Sequence, residues 1–118
     1  IHAIINRTML INANKRVALV AEKDAPIYMS FSGDELTLSA GNDSESQAKE
    51  LIDIDMDGQD IIVAFNPNYL IEGLSAISEP FVHAKITSAV KPVEFNGQQE
   101  ADGDESMNYR YLVVPMHP

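Results

Sequence analysis

Two stretches of this 118-residue chain, sixty residues apart, are written alike, so the chain reads as two copies of one unit. Ile5-Asn6-Arg7-Thr8-Met9-Leu10-Ile11 shares its Asn, Leu and Ile with Phe65-Asn66-Pro67-Asn68-Tyr69-Leu70-Ile71, with an apolar residue before each Asn. In both, a short apolar run (Ala3 to Ile5; Ile61 to Phe65) meets an Asn that can cap a helix, its side chain accepting from first-turn amides. Pro67 suits the first helical position, where no amide is needed. After the first helix come Ile27 to Phe31, a turn at Ser32-Gly33-Asp34, Leu36 to Ala40, and Ile52 to Met56. After the second come Val82 to Ile86, Val93 to Phe95, and a terminal strand from Tyr109. Each half reads as strand–helix–strand–strand–strand. Two such units predict a single α+β domain over residues 1–118, with two helices packed on antiparallel sheet.

Gly33, Gly58 and Gly97 read as turn punctuation, and the polar stretch from Gly97 to Met107 as a mobile acidic loop. At about 100° per residue, Leu10, Ala13, Val17 and Ala21 form one apolar stripe on the first helix, with Val20 at its edge. Leu19 falls on the opposite face, among Thr8, Asn12, Lys15 and Arg16. Tyr69, on the second helix, is by default a core aromatic. Along the last strand Tyr109, Tyr111 and Val113 alternate with Arg110, Leu112 and Val114. Val114, Pro115 and Met116 then run on without a polar tail, so this end is either tucked into a core or offered to a partner. The second reading is preferred: a binding surface rather than a plug.

The net charge of −10 is unevenly spread. Residues 1–21 carry Arg7, Lys15 and Arg16 and no acid, whereas Asn42 to Asp60 holds seven acids against Lys49 alone. A uniformly acidic protein repels nucleic acid, so only the first helix could face it. The chain has no cysteine, which excludes disulfides and thiol catalysis and agrees with a cytoplasmic setting. Its sequence has no apolar run approaching the ~20 residues of a membrane span. It starts at Ile1 rather than Met, as a piece of a longer protein would.

Chemistry is harder to find. Asp53-Ile54-Asp55-Met56-Asp57-Gly58 copies the opening of a calcium loop, but the bidentate Glu required at the twelfth position is Ala64. Ile52, Ile54 and Met56 alternate with the aspartates as in a strand with one wet face, and that reading is preferred. His2, His83 and His117 lie far apart in sequence without ligand spacing, and His83 reads as a solvent-facing strand residue. No Ser sits in a nucleophile elbow and no phosphate loop is present. The residues point to binding rather than catalysis, with no cofactor and no metal.

Several motifs resemble the C-terminal domain of the bacterial sliding clamp, the beta subunit of DNA polymerase III. They are Ile5-Asn6-Arg7 leading to Lys15 through Ala21, Leu36 to Gly41, Ala64-Phe65-Asn66-Pro67-Asn68-Tyr69-Leu70, and Tyr111-Leu112-Val113-Val114-Pro115-Met116. The resemblance covers essentially the whole chain, and the first helix is actinobacterial in style. It implies the third domain of a three-domain chain that forms a head-to-tail homodimer, a ring around duplex DNA. As a non-catalytic processivity factor of chromosomal replication, such a ring lies in the cytoplasm with the nucleoid. It holds replicative and translesion polymerases, the clamp loader and repair proteins through Leu/Phe-containing peptides. Carried over by position, the peptide pocket comprises Asn66, Tyr69, Pro92, Leu112, Val114, Pro115 and Met116. Leu19 and Val20 meet a neighbouring subunit, and Arg7, Lys15 and Arg16 face DNA. The His117-Pro118 ending departs from the family's basic-then-apolar one. The alternative is a general protein-interaction domain without a DNA role.

Overall fold

The structure, a computed structural model, describes residues 1–21, 25–42, 45–100 and 105–116. The first unit runs β1 (His2–Asn6), α1 (Arg7–Val20), β2 (Ile27–Ser32), β3 (Glu35–Asn42), β4 (Glu45–Asp53) and β5 (Asp55–Asp57). The second runs β6 (Ile61–Phe65), α2 (Pro67–Ala76), β7 (Phe81–Lys85), β8 (Val93–Gln98) and β9 (Glu105–Val113). The strands form a five-stranded sheet, β5-β1-β7-β8-β9, and a four-stranded sheet, β4-β3-β2-β6, antiparallel throughout. Each unit therefore lends its first strand to the other unit's sheet. β1 pairs with β7, Ala3 opposite Ala84, and β6 pairs with β2, Val63 opposite Met29.

Alternation sets the layers. Ala3 and Ile5, Ile27, Met29 and Phe31, Val82 and Ala84, and Val93 and Phe95 all point inward and join one core with Leu10, Val17, Leu70 and Leu74 of the helices. Phe65 of one sheet meets Phe95 of the other edge-on, ring centres 6.1 Å apart, which links the layers at their middle. The helices begin as expected: Asn6 Oδ1 accepts from the Met9 amide at 3.0 Å, and Asn66 Oδ1 accepts from Asn68 and Tyr69 at 2.9 and 3.3 Å. The stripe of Leu10, Ala13 and Val17 is buried, and Leu19 stands out in water. Asn14 is buried as well; its amide donates back to the Leu10 carbonyl at 3.0 Å while its own oxygen finds no partner among the described residues.

Four expectations need correction. The third strand of the first unit is not one strand from Ile52 to Met56 but two, β4 and β5, divided at Ile54 where the chain changes sheets. Asp34 holds that corner: its carbonyl accepts from the Ile54 amide at 2.9 Å and its carboxylate from Met56 at 3.3 Å. The acidic loop is shorter than 97–107, because Gly97 and Gln98 belong to β8 and residues 105–107 open β9; residues 101–104 lie outside the described residues. Gly97 is not a turn residue: it lies within β8, and a Cβ there would stand 2.5 Å from the Glu79 carboxylate, so a larger residue would have to displace that side chain. Tyr69 is no core aromatic; it is 61% exposed.

Candidate functional site

The surface of interest lies where β9 runs out beside the start of α2. Beyond Val113, the chain end is not a free tail. The Met116 amide donates to the Ala64 carbonyl at 2.8 Å, which carries the end from the edge of the five-stranded sheet to the edge strand β6 of the other. Along this segment burial alternates: Val113 and Pro115 are buried, Leu112 and Val114 are 56% and 65% exposed, and Met116 is half-buried. The sequence posed plug or surface as alternatives and preferred the surface. The alternation makes the end both at once, one side closing the core and the other facing solvent.

Of the seven positions expected to line a peptide pocket, the structure brings Met116 to the start of α2, because Ala64 lies two residues before the capping Asn66. Asn66 has its side-chain oxygen committed to the cap, and Tyr69 projects one turn later. Pro115 is buried, so it can only be a floor. Leu112 sits opposite Glu94 on the solvent face of the sheet, and one register step further places exposed Pro92 across from Val114. The positions thus divide into a helix side (Asn66, Tyr69, Met116) and a sheet side (Pro92, Leu112, Val114), separated by the edge of β9. Two residues that hold these sides together were passed over in the sequence. The Tyr111 hydroxyl donates to the Tyr69 carbonyl at 3.1 Å, and its ring comes within 1.9 Å of where a Cβ on Gly73 would stand. A glycine inside a helical pattern signals such close packing. Val90, exposed and apolar in the connection before Pro92, gave no periodic signal.

The basic residues are less free than the charge map suggested. Arg7 donates to the carbonyls of Leu74 and Ser75 at 3.1 and 3.2 Å, completing the C-terminus of α2, where a cation also suits the helix dipole. Arg16 grips Glu50 of β4 at 2.8 and 3.1 Å, and this contact holds the Glu50 carboxyl below the usual carboxylate range. Lys15 is exposed and forms no ion pair among the described residues. Leu19 is 84% exposed, with Val20 beside it at the end of α1.

On the same solvent face of the five-stranded sheet as Leu112, the Glu94 carboxylate accepts from Asn96 at 2.7 Å and faces Lys85 at 3.3 Å and Arg110 at 3.6 Å; these contacts, Asn96 foremost, depress its pKa. His2 and His83 are not far apart: cross-strand pairing of β1 and β7 sets Nδ1 of one 2.9 Å from Nε2 of the other. Among the described residues, no group of three or more His, Asp or Glu side chains could hold a metal, and no helix is long and apolar enough to cross a membrane. Asp53, Asp55 and Asp57 point to solvent from a strand edge, as alternation predicted. His117 and Pro118 lie outside the described residues.

The doubled unit with exchanged first strands and two Asn-capped helices matches a known family. The model of the family described as "DNA polymerase III beta subunit, C-terminal domain" covers residues 1–116. The chain belongs to this family. A beta sliding clamp of Streptomyces coelicolor is 40% identical over 114 residues, which is 97% of this chain and 30% of that protein. A beta sliding clamp homolog of Streptomyces muensis is 31% identical over 91% of the chain and 29% of its own length. The crystal structure of the DNA polymerase sliding clamp from Pseudomonas aeruginosa with ligand superposes with a TM-score of 0.83 at 26% identity, over 99% of this chain and 31% of that one. The chain therefore spans less than a third of the sliding clamps it matches. The clamp fold has the two helices on antiparallel sheet that the repeat predicted, and it is the fold that the resemblance implied.

Proposed function

We propose that this chain is the third domain of a bacterial beta sliding clamp, a non-catalytic processivity factor for chromosomal replication that acts in the cytoplasm with the nucleoid. In the whole protein, three such domains per subunit form a head-to-tail homodimer around duplex DNA. The domain carries the C-terminal share of a pocket that takes Leu/Phe-containing peptides from replicative and translesion polymerases, the clamp loader and repair proteins. The observation that carries this reading is the exposed apolar rim of Tyr69, Leu112 and Val114, held by a chain end anchored at Met116. Burying one Leu or Phe contributes about 1.5–3 kcal/mol, so two or three anchors with a few backbone hydrogen bonds reach micromolar affinity. Asn66, Pro92 and Met116 frame the rim, and Pro115 supports it from below.

Toward DNA, Lys15 is the base on α1 that stays available for a phosphate. Arg7 and Arg16 already serve the fold, and their role is to keep the DNA-facing helix from being acidic. Weak, sequence-independent attraction suits a ring that must slide. Leu19 and Val20 present an apolar spot at the end of α1 for the neighbouring subunit.

Fluorescence anisotropy on the full-length protein with a labelled Leu/Phe-containing polymerase peptide tests the pocket, with Tyr69→Ala and Val114→Asp as variants. Micromolar binding by the parent and a loss of about tenfold or more in each variant is expected from removing one apolar anchor. Sedimentation of Leu19→Ala tests ring closure, and a shift from dimer to monomer is expected. Peptide binding without any dimer or DNA retention would favour a protein-interaction domain instead.

A further inference from the structure

We infer that Tyr111 is a positioning residue for the partner peptide: lying behind the rim, it fixes the helix side of the site relative to the sheet side. The inference rests on the peptide-site reading above. Tyr111 is half-buried on β9, on the side of the strand opposite exposed Leu112 and Arg110. Its ring fills the space over Gly73, with ring carbons 1.9 to 2.5 Å from where a Cβ would stand, so no other residue at 73 leaves the ring in place. Its hydroxyl reaches the Tyr69 carbonyl at 3.1 Å. In an α-helix that carbonyl is also the acceptor for the amide of residue 73. Ring and hydroxyl thus address the same turn of α2, the one that bears the exposed Tyr69 side chain.

A second tie follows in the chain. The Met116 amide is bonded to the Ala64 carbonyl just ahead of the Asn66 cap. Between the two ties lie Leu112, Val113, Val114 and Pro115, of which Val113 and Pro115 are buried. The segment presenting Leu112 and Val114 is therefore stapled to α2 at both ends. Pre-set spacing of two apolar rims reduces the ordering that a bound peptide must otherwise impose. Without the hydroxyl tie, the Met116–Ala64 bond and the packing of the Tyr111 ring over Gly73 are left to set the strand end against α2.

The test is a double-mutant cycle in the full-length protein, read by anisotropy and stopped-flow dissociation of a labelled Leu/Phe-containing peptide. Tyr111→Phe keeps the ring against Gly73, and its melting curve checks that the fold is retained. Peptide affinity should fall about two- to tenfold, the factor set by one hydrogen bond, mainly through faster dissociation. In a Tyr69→Ala background the carbonyl tie survives but one of the side chains it positions is gone, so the same change should cost less than in the parent. An unchanged affinity in Tyr111→Phe, or an equal loss in both backgrounds, overturns the positioning role while leaving the peptide site standing. A parent protein that does not bind the peptide overturns the site itself and the inference with it.

Discussion

α1 and α2 start from the same instruction and end in different employment. Both follow an apolar strand, both are capped by an Asn side chain, and both bury a Leu four residues beyond the cap, Leu10 and Leu70. α1 runs 14 residues and keeps a full polar face with Lys15, Arg16 and Leu19 exposed; α2 runs 10, closes on Arg7 of the other helix, and gives its outer surface to Tyr69 and to the strand packed over Gly73. Cap and stripe are therefore what the fold demands of each unit. The remaining faces are open to specialisation, one toward a charged, sparsely contacted surface and the other toward an apolar edge.

The largest effect should come from the shared positions. Leu10→Ala and Leu70→Ala should each cost about 2–5 kcal/mol in urea unfolding, since both side chains are wholly buried. Similar losses would confirm that the two helices are equivalent supports; a loss confined to one would break the comparison. Next is Gly73→Ala. Helix propensity alone would stabilise by about 1 kcal/mol, but the Tyr111 ring must be displaced, so a net loss of about 1–3 kcal/mol is expected. An increase in melting temperature would show that the ring is not seated there in solution. The caps come third: Asn66→Ala should cost more than Asn6→Ala within a range of about 0.5–2 kcal/mol, because Asn66 accepts two amides and Asn6 one. The reverse order would say that Pro67 alone suffices to start α2.

The smallest expected effect is that of pH on the sheet behind α2. The Glu94 carboxyl is held below its unfolded pKa by Asn96, Lys85 and Arg110, so its contribution is present above the unfolded value and fades as pH falls through the folded one. Glu94→Gln should therefore lower stability slightly at neutral pH, where the carboxylate contributes, converge with the parent in acid, and so flatten the acid limb of the stability–pH curve. An identical acid limb in both proteins would remove Glu94 from the account.

Features set by neighbours in sequence were legible: the Asn caps, the Leu10–Ala13–Val17 stripe, the isolated Leu19 and the alternation through Asp53, Asp55 and Asp57. Features set by approach between distant segments were not. Gly97 looks like a turn residue unless Glu79 is known to lie over it, and Tyr69 looks like a core residue unless Tyr111 is known to occupy the adjoining space. The same holds for His2 and His83, 81 positions apart yet joined by strand pairing. For the proposed pocket, motif resemblance supplied the residues, but only the structure divides them into two sides and shows that Pro115 is buried.

The exchange of first strands has a consequence for how the chain reaches its native state. β1 finds its place only when β7 exists, and β6 completes a sheet whose other three strands were made before it. Neither half has a closed hydrophobic layer alone, so a chain cut near Gly58 should give two fragments that stay unfolded apart and regain structure when mixed. The pairing of His2 with Lys85 spans most of the sequence, and contacts of that separation slow folding because the loop must close before any of it is repaid. During synthesis β1 must therefore wait, unpaired on that side, until residues beyond 80 have left the ribosome.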